Sequence, residues 1–162
     1  GYPVLGIDED FTQLREKYEF ALVTVGQIKS ATPRKRLYAQ LISLGFQLPV
    51  VVSPRSYVSP HAKLGSGTIV MHDALVNSGA DIGENCILNS KSLIEHDVEI
   101  GDHCHISTGS ILNGESKVGE ECFVGSGVIL REGVRIGARS LVAGGARVMR
   151  DLPENSNYKN SL

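Results

Sequence analysis

The chain has 162 residues, 41% of them hydrophobic, and a formal net charge of −2. That is enough apolar material for a real core, while no stretch approaches the roughly 18 apolar residues of a membrane span. The slight acidity argues against a nucleic-acid surface, which needs clustered positive charge.

No initiator Met stands at Gly1, so the sequence leads us to expect N-terminal residues missing or removed, and no signal peptide is expected within these residues. A short helix is expected at about Asp8 to Lys17. Phe20-Ala-Leu-Val-Thr-Val25 reads as a buried strand ending at Gly26. Thr32 then supplies an N-cap and Pro33 the first helical position. Leu37, Leu41 and Leu44 mark the apolar face before Gly45 stops the helix. This order over 1–49 looks like the second half of a small nucleotide-binding α/β domain, a partial Rossmann-like unit without its first strand and glycine-rich loop. One glycine after a strand is by itself a weak signal.

Pro49, Val50 and Val51 lead straight into a repeat that fills 50–153. From Val52 to Val148 an aliphatic residue recurs every six positions, seventeen times in phase. Four residues after each comes a small or modest side chain (Ala62, Cys86, Ser110, Ala146), and only Leu152 breaks that rule. A period of eighteen is superposed in Leu64-Gly65, Ile82-Gly83, Ile100-Gly101, Val118-Gly119 and Ile136-Gly137. Two inward positions separated by one outward residue mark a short strand, and glycine or polar residues between strands mark turns. Three six-residue faces per coil make a triangular prism of parallel strands. At about 4.8 Å per coil it stands roughly 27 Å tall. The tail 154–162 is polar and expected to be loose.

Cys86, Cys104 and Cys122 fall eighteen apart and stack inside the prism. A line of thiols cannot converge on a metal. Backbone spacing alone does not exclude a disulfide, but inward packing favours three reduced core thiols. Of five histidines, His61 and His72 read as surface residues, and His103 as a solvent-facing turn residue. His96 differs, because it occupies a corner with Glu95 and Asp97 on either side. A neighbouring carboxylate fixes an imidazole tautomer and raises its basicity, as a general base requires. The bland alternative is an ordinary charged turn. Small Ser78 and Gly114 one coil below and above leave space over the ring.

His105 is the outward residue in the middle of the face opposite the His96 corner. The two meet only if prisms pack side by side, which points to a site between subunits. Thr108, Ser126 and Gly144 form a further corner column, each followed by glycine (Gly109, Gly127, Gly145). Either these glycines merely suit tight turns, or the column is a groove for an extended arm such as pantetheine.

The repeat resembles the hexapeptide-repeat, left-handed β-helix family, and the handedness is an implication of that resemblance. Ser92-Leu-Ile-Glu-His96-Asp97, Glu99-Ile-Gly101, His105-Ile-Ser-Thr-Gly109, Leu112-Asn-Gly114 and Val118 through Ser126 more closely resemble one branch of it. That branch is the bacterial sugar acetyltransferase family of sialic acid O-acetyltransferases and UDP-4-amino-sugar N-acetyltransferases. The resemblance implies that His96 is the general base, tuned by Asp97. It implies that His105 contacts the acetyl-CoA thioester region, that backbone at Ser126 and Gly144 binds acetyl-CoA, and that Gly26 touches the substrate. It also implies a cytoplasmic homotrimer without metal, acting on a sugar or nucleotide sugar in surface-glycan biosynthesis. Two rival readings share the prism. A γ-type carbonic anhydrase would need three histidines on zinc, and His61, His96 and His103 or His105 do not reproduce that family's spacing. A trimeric scaffold without catalysis would fail to bind acetyl-CoA.

Overall fold

The prism forms because each hexad buries two alternate side chains and then turns before it can bury a third. In the computed structural model, which describes residues 1–159, eighteen two-residue strands run from Val51–Val52 to Asn157–Tyr158. All pairings are parallel, in sheets of seven, six and five strands. The three faces are named here by their first inward residue: the Val52, Val58 and Leu64 faces. Register follows the eighteen-residue period, as in Ile87↔His105↔Phe123 on the Val52 face and Lys63↔Asp81↔Glu99 on the Leu64 face.

Inward aliphatics such as Leu88, Ile94, Ile106 and Leu112 are fully buried. The three cysteines are buried and free. Their Sγ atoms donate to the carbonyls of Gly101, Gly119 and Gly137 at 3.2, 3.0 and 3.2 Å. Glycine in the Ile-Gly pairs sets the coil spacing. A Cβ on Gly101 would stand 2.7 Å from the Glu120 nitrogen, an overlap with backbone that cannot move aside.

The ends depart from the repeat. Val52 is 43% exposed, since no coil lies below it. At the other end Leu152 bridges Ile136 and Val142 pairs with Tyr158, so this coil is sixteen residues long instead of eighteen. That two-residue shortening explains why Leu152 sits out of phase: it takes the aliphatic place. The loose tail expected from 154 is therefore corrected, because Asn157–Tyr158 form a further strand and Tyr158 packs on the core. Residues 160–162 of that tail lie outside the described residues.

The N-terminal unit is smaller than a Rossmann-like domain. A 3-10 turn at Asp8–Asp10 precedes α1 (Phe11–Arg15) and α2 (Thr32–Ser43). The strand expected at 20–25 is a single bridge between Phe20 and Gln47, and Val23 alone of those six residues is buried. No described strand lies alongside to complete a ladder, so the β-prone run stays extended chain. Thr32 is the first helical residue and Ala31 the N-cap, with Ser30 Oγ accepting from the Thr32 amide at 3.1 Å. The buried stripe of α2 is Arg34, Tyr38 and Leu41. Leu37 and Leu44 only flank a small core that also holds Val23, Phe46 and Leu48.

Candidate active site

His96 and Asp97 form the turn between Leu93–Ile94 on the Val58 face and Glu99–Ile100 on the Leu64 face. Asp97 has φ 57°, a left-handed conformation that a short polar side chain tolerates. His96 Nδ1 lies 3.0 Å from Asp97 Oδ2. A carboxylate only accepts, so the neutral ring carries its proton on Nδ1 and leaves Nε2 with a free lone pair. This hydrogen bond is the main cause that raises the imidazole pKa above its ordinary 6.5. The His96 side chain is 55% exposed and accessible to a substrate. Glu95, the other flanking carboxylate, instead accepts from Asn77 Nδ2 at 2.9 Å. A cavity of about 460 Å³ opens here, lined by His96, Glu95, Asn113, Gly114, Glu115, Glu132 and Gly133.

His105 lies on the Val52 face, on the far side of the prism from the His96 corner. It is half-buried, with its ring edge-on to Phe123 at 5.3 Å between centroids. Its Nδ1 donates to the Gln27 carbonyl at 2.9 Å, and Asn89 Nδ2 stands 3.3 Å from Nε2 and donates to it. Burial is the main influence on its pKa and lowers it, so the ring is neutral near pH 7. A second cavity of about 360 Å³ is lined by His105, Asn89, Gly26, Thr24, Leu22, Ile69, Met71 and Ile87. The structure thus brings Gly26 and His105 together and keeps His96 apart from both.

The column of Thr108, Ser126 and Gly144 is exposed. Each following glycine has positive φ (66°, 67° and 73° at Gly109, Gly127 and Gly145). The amides of Gly127 and Gly145 bond the coil below, to Thr108 and Ser126 carbonyls at 2.9 and 2.8 Å. The Ser126 and Gly144 amides donate to no acceptor among the described residues. Ser107 Oγ and Ser126 Oγ share a hydrogen bond of 2.8 Å beside them. Free donors on a column without large side chains suit an extended polar-apolar arm.

His61 and His72 are exposed, as expected. His103 corrects the solvent-facing expectation: it is partly buried, edge-on to Tyr38 at 5.6 Å, and within 3.0 Å of Asn85 Nδ2. Tyr38 on α2 covers that corner, which no turn pattern announces. The sequence reading also missed Asn77, Asn85, Asn89, Gln27 and Arg34. Asn77–Glu95 and Asn85–His103 were legible, since each pair is eighteen residues apart. Gln27 and Arg34 lie outside the repeat and gave no such signal. Among the described residues no three His, Cys, Asp or Glu side chains group as a metal site.

Comparison with known proteins agrees with this geometry. Residues 79–114 match the family described as bacterial transferase hexapeptide (six repeats), and 117–150 the hexapeptide repeat of succinyl-transferase. No curated protein sequence matches the chain. The acetyltransferase domain of PglB from Neisseria gonorrhoeae FA1090, solved with acetyl coenzyme A, is 30% identical with a TM-score of 0.91. That match covers 96% of this chain and 74% of that one. PerB from Caulobacter crescentus, solved with CoA and GDP-perosamine, is 35% identical at TM-score 0.91, over 95% and 73% of the two chains. WeeI from Acinetobacter baumannii AYE, 24% identical over 95% and 73% at TM-score 0.86, shares the fold. With its repeat, its His–Asp corner and these relatives, the chain belongs to the bacterial sugar acetyltransferase family of hexapeptide-repeat proteins.

Proposed function

We propose that this protein transfers an acetyl group from acetyl-CoA to an amino or hydroxyl group of a nucleotide-activated sugar, with His96 as general base. The observation that carries the reading is the His96–Asp97 pair: an exposed imidazole whose Nδ1 is held by a carboxylate at 3.0 Å and whose Nε2 is free. PglB was solved with acetyl coenzyme A and PerB with CoA and GDP-perosamine, which supports both substrates.

Acetyl-CoA supplies the acyl group as a thioester. His96 Nε2 takes the proton from the sugar nitrogen or oxygen as that atom bonds to the acyl carbon, and Asp97 steadies the imidazolium. The proton then passes to the CoA sulfur as the C–S bond breaks, so acetylated sugar and free CoA leave. The cysteines are unsuited to an acyl-enzyme route, because all three are buried in the core and burial raises the Cys104 thiol pKa well above the ordinary 9.0.

The amides of Ser126 and Gly144 fit the pantetheine arm, His105 the thioester end, and Gly26 the acceptor, since it shares the His105 cavity. His96 and His105 lie on opposite sides of one prism, so a complete site needs the His96 corner of one copy against the Val52 face of the next. The Val58 face beside His96 carries a half-buried outward ladder of Leu75, Leu93, Ile111 and Ile129. The Leu64 face instead carries Lys63, Asp81, Glu99, Lys117 and Arg135. That contrast supports a homotrimer with parallel axes and the Val58 face turned inward, while the family resemblance implies left-handed coils. Residues 1–49 then serve as the nucleotide-sugar side of the site and 50–153 as the acetyltransferase prism. No helix among the described residues is long and apolar enough to cross a membrane; the family resemblance implies a cytoplasmic enzyme making surface glycans.

The test is acetyl transfer from acetyl-CoA to UDP-, GDP- and dTDP-linked amino sugars, CMP-sialic acid and free sialic acid. Turnover on one nucleotide sugar identifies the acceptor and settles nitrogen against oxygen. No turnover on any, with acetyl-CoA unbound, overturns the reading in favour of a scaffold.

A further inference from the structure

Arg34 is the largest fully buried side chain of the protein's described residues, with a relative exposure of 0%. Its guanidinium meets no carboxylate among the described residues. Nη1 donates to the Val23 and Val25 carbonyls at 3.2 and 2.8 Å. Nη2 donates to the Asn85 carbonyl and to Asn85 Oδ1, both at 2.7 Å. Nε has no partner. A buried cation without a counter-charge is costly, and a chain gains nothing from it by packing alone. What this one does is geometric.

Residues 21–27 run without turn or bend, so carbonyls two residues apart point to the same edge. On that edge the Val23 and Val25 carbonyls go to Arg34, and the next one, from Gln27, goes to His105 Nδ1. The guanidinium stands where a neighbouring strand's amides would stand. Its other fork is locked to Asn85, a left-handed corner residue of the prism with φ 51°. Arg34 therefore joins α2, the 23–27 segment and the prism wall in one register, and that register places the Gln27 carbonyl on His105.

We infer that Arg34 is a positioning residue: by holding the Val23 and Val25 carbonyls it keeps the Gln27 carbonyl on His105 Nδ1, so that His105 keeps its Nε2 unprotonated, accepting from Asn89 beside the cavity both share with Gly26. The inference rests on the proposed function only for its kinetic consequence. A histidine left to itself favours the Nε2–H tautomer, which would turn the acceptor into a donor at the point where His105 meets its ligand.

The experiment uses the whole chain with ¹⁵N-labelled histidine and long-range ¹H–¹⁵N correlation, alongside steady-state kinetics. Wild type is expected to show a protonated Nδ1 and a bare Nε2 at His105. Arg34→Lys keeps the charge but cannot hold three partners in a plane. It is expected to keep the β-helix by circular dichroism, give His105 as a tautomer mixture, leave the His96 signals unchanged and lower kcat about tenfold with the Kd for CoA unaltered. Arg34→Met is expected to do the same, and if it does not fold, Arg34→Lys decides alone. A folded Arg34→Lys protein whose His105 remains in the Nδ1–H tautomer overturns the inference, whatever its turnover. A wild-type chain that transfers no acetyl group overturns the acetyltransferase reading instead, and the tautomer result still stands, so the two failures are distinguishable.

Discussion

Gly114 lies directly against the ring of His96: a Cβ at position 114 would stand 2.6 Å from Nε2 and 2.7 Å from Cε1. The space around the proposed base is therefore shaped from the neighbouring coil, one eighteen-residue step along the prism.

Gly114→Ala is expected to push the imidazole aside without disturbing the core. A displacement of about 1 Å at a reacting group costs about 10²-fold in rate. Turnover should fall by that order while acetyl-CoA affinity, measured by titration calorimetry, stays at the wild-type value. Unchanged turnover would show that Nε2 does not need its present position.

His96→Ala is expected to cost about 10²–10⁴ in turnover, and Asp97→Asn less. The base must be neutral, and its pKa is raised above 6.5 chiefly by the Asp97 hydrogen bond. Activity should therefore rise with pH along a limb centred above 6.5, and Asp97→Asn should move that limb down. The sign for stability is opposite: the charged pair stabilises the fold fully below the unfolded pKa and loses its contribution as pH rises through the raised value. Both groups are exposed, so the rate profile is the informative readout. A limb that does not move in Asp97→Asn would mean that the carboxylate is not tuning the base.

Gly144→Val is expected to weaken CoA binding about tenfold, the equivalent of about 1.4 kcal/mol. Even the first carbon of the new side chain would stand 3.2 Å from the Ser126 carbonyl oxygen, and its branches would cover the amides beside it. Calorimetry with CoA measures it, with circular dichroism as the check on the core. Equal affinity would reduce the small-residue column to turn chemistry.

Light scattering at micromolar concentration is expected to give three times the chain mass of 17.4 kDa. Ile111→Arg, on the outward ladder of the Val58 face, should yield monomers with the prism intact and turnover lost together with the assembly. An active wild-type monomer would remove both the trimer and the shared site.

Gly101→Ala is expected to destabilise the prism by about 1–3 kcal/mol, the usual cost of overpacking, because the new methyl would overlap Glu120 backbone. Denaturant unfolding measures it. A neutral result would show that the coils can separate locally.

Much of the site was legible because the repeat converts sequence position into geometry. His96, Asp97 and Gly114 fall on one corner by counting, and His105 falls on the opposite face by the same count. Counting failed where a side chain chose among partners. Glu95 and Asp97 flank His96 equally in sequence, yet Asn77 holds Glu95 and leaves only Asp97 on the ring. It failed again at Leu152, where a coil two residues short restores an aliphatic contact that the period alone would have denied.

By itself the sequence determined the prism, its coil length, the inward cysteines and the corner that carries His96 and Asp97, since each follows from a period of six repeated in threes. The tertiary structure decided how residues 1–49 meet the prism. There Arg34 and Gln27 reach backbone carbonyls and a ring nitrogen far away in the chain, and such contacts follow from packing against another element. The physical reason is locality: a repeat fixes neighbours at constant spacing, while a helix and an extended segment laid across a finished wall obey no period at all.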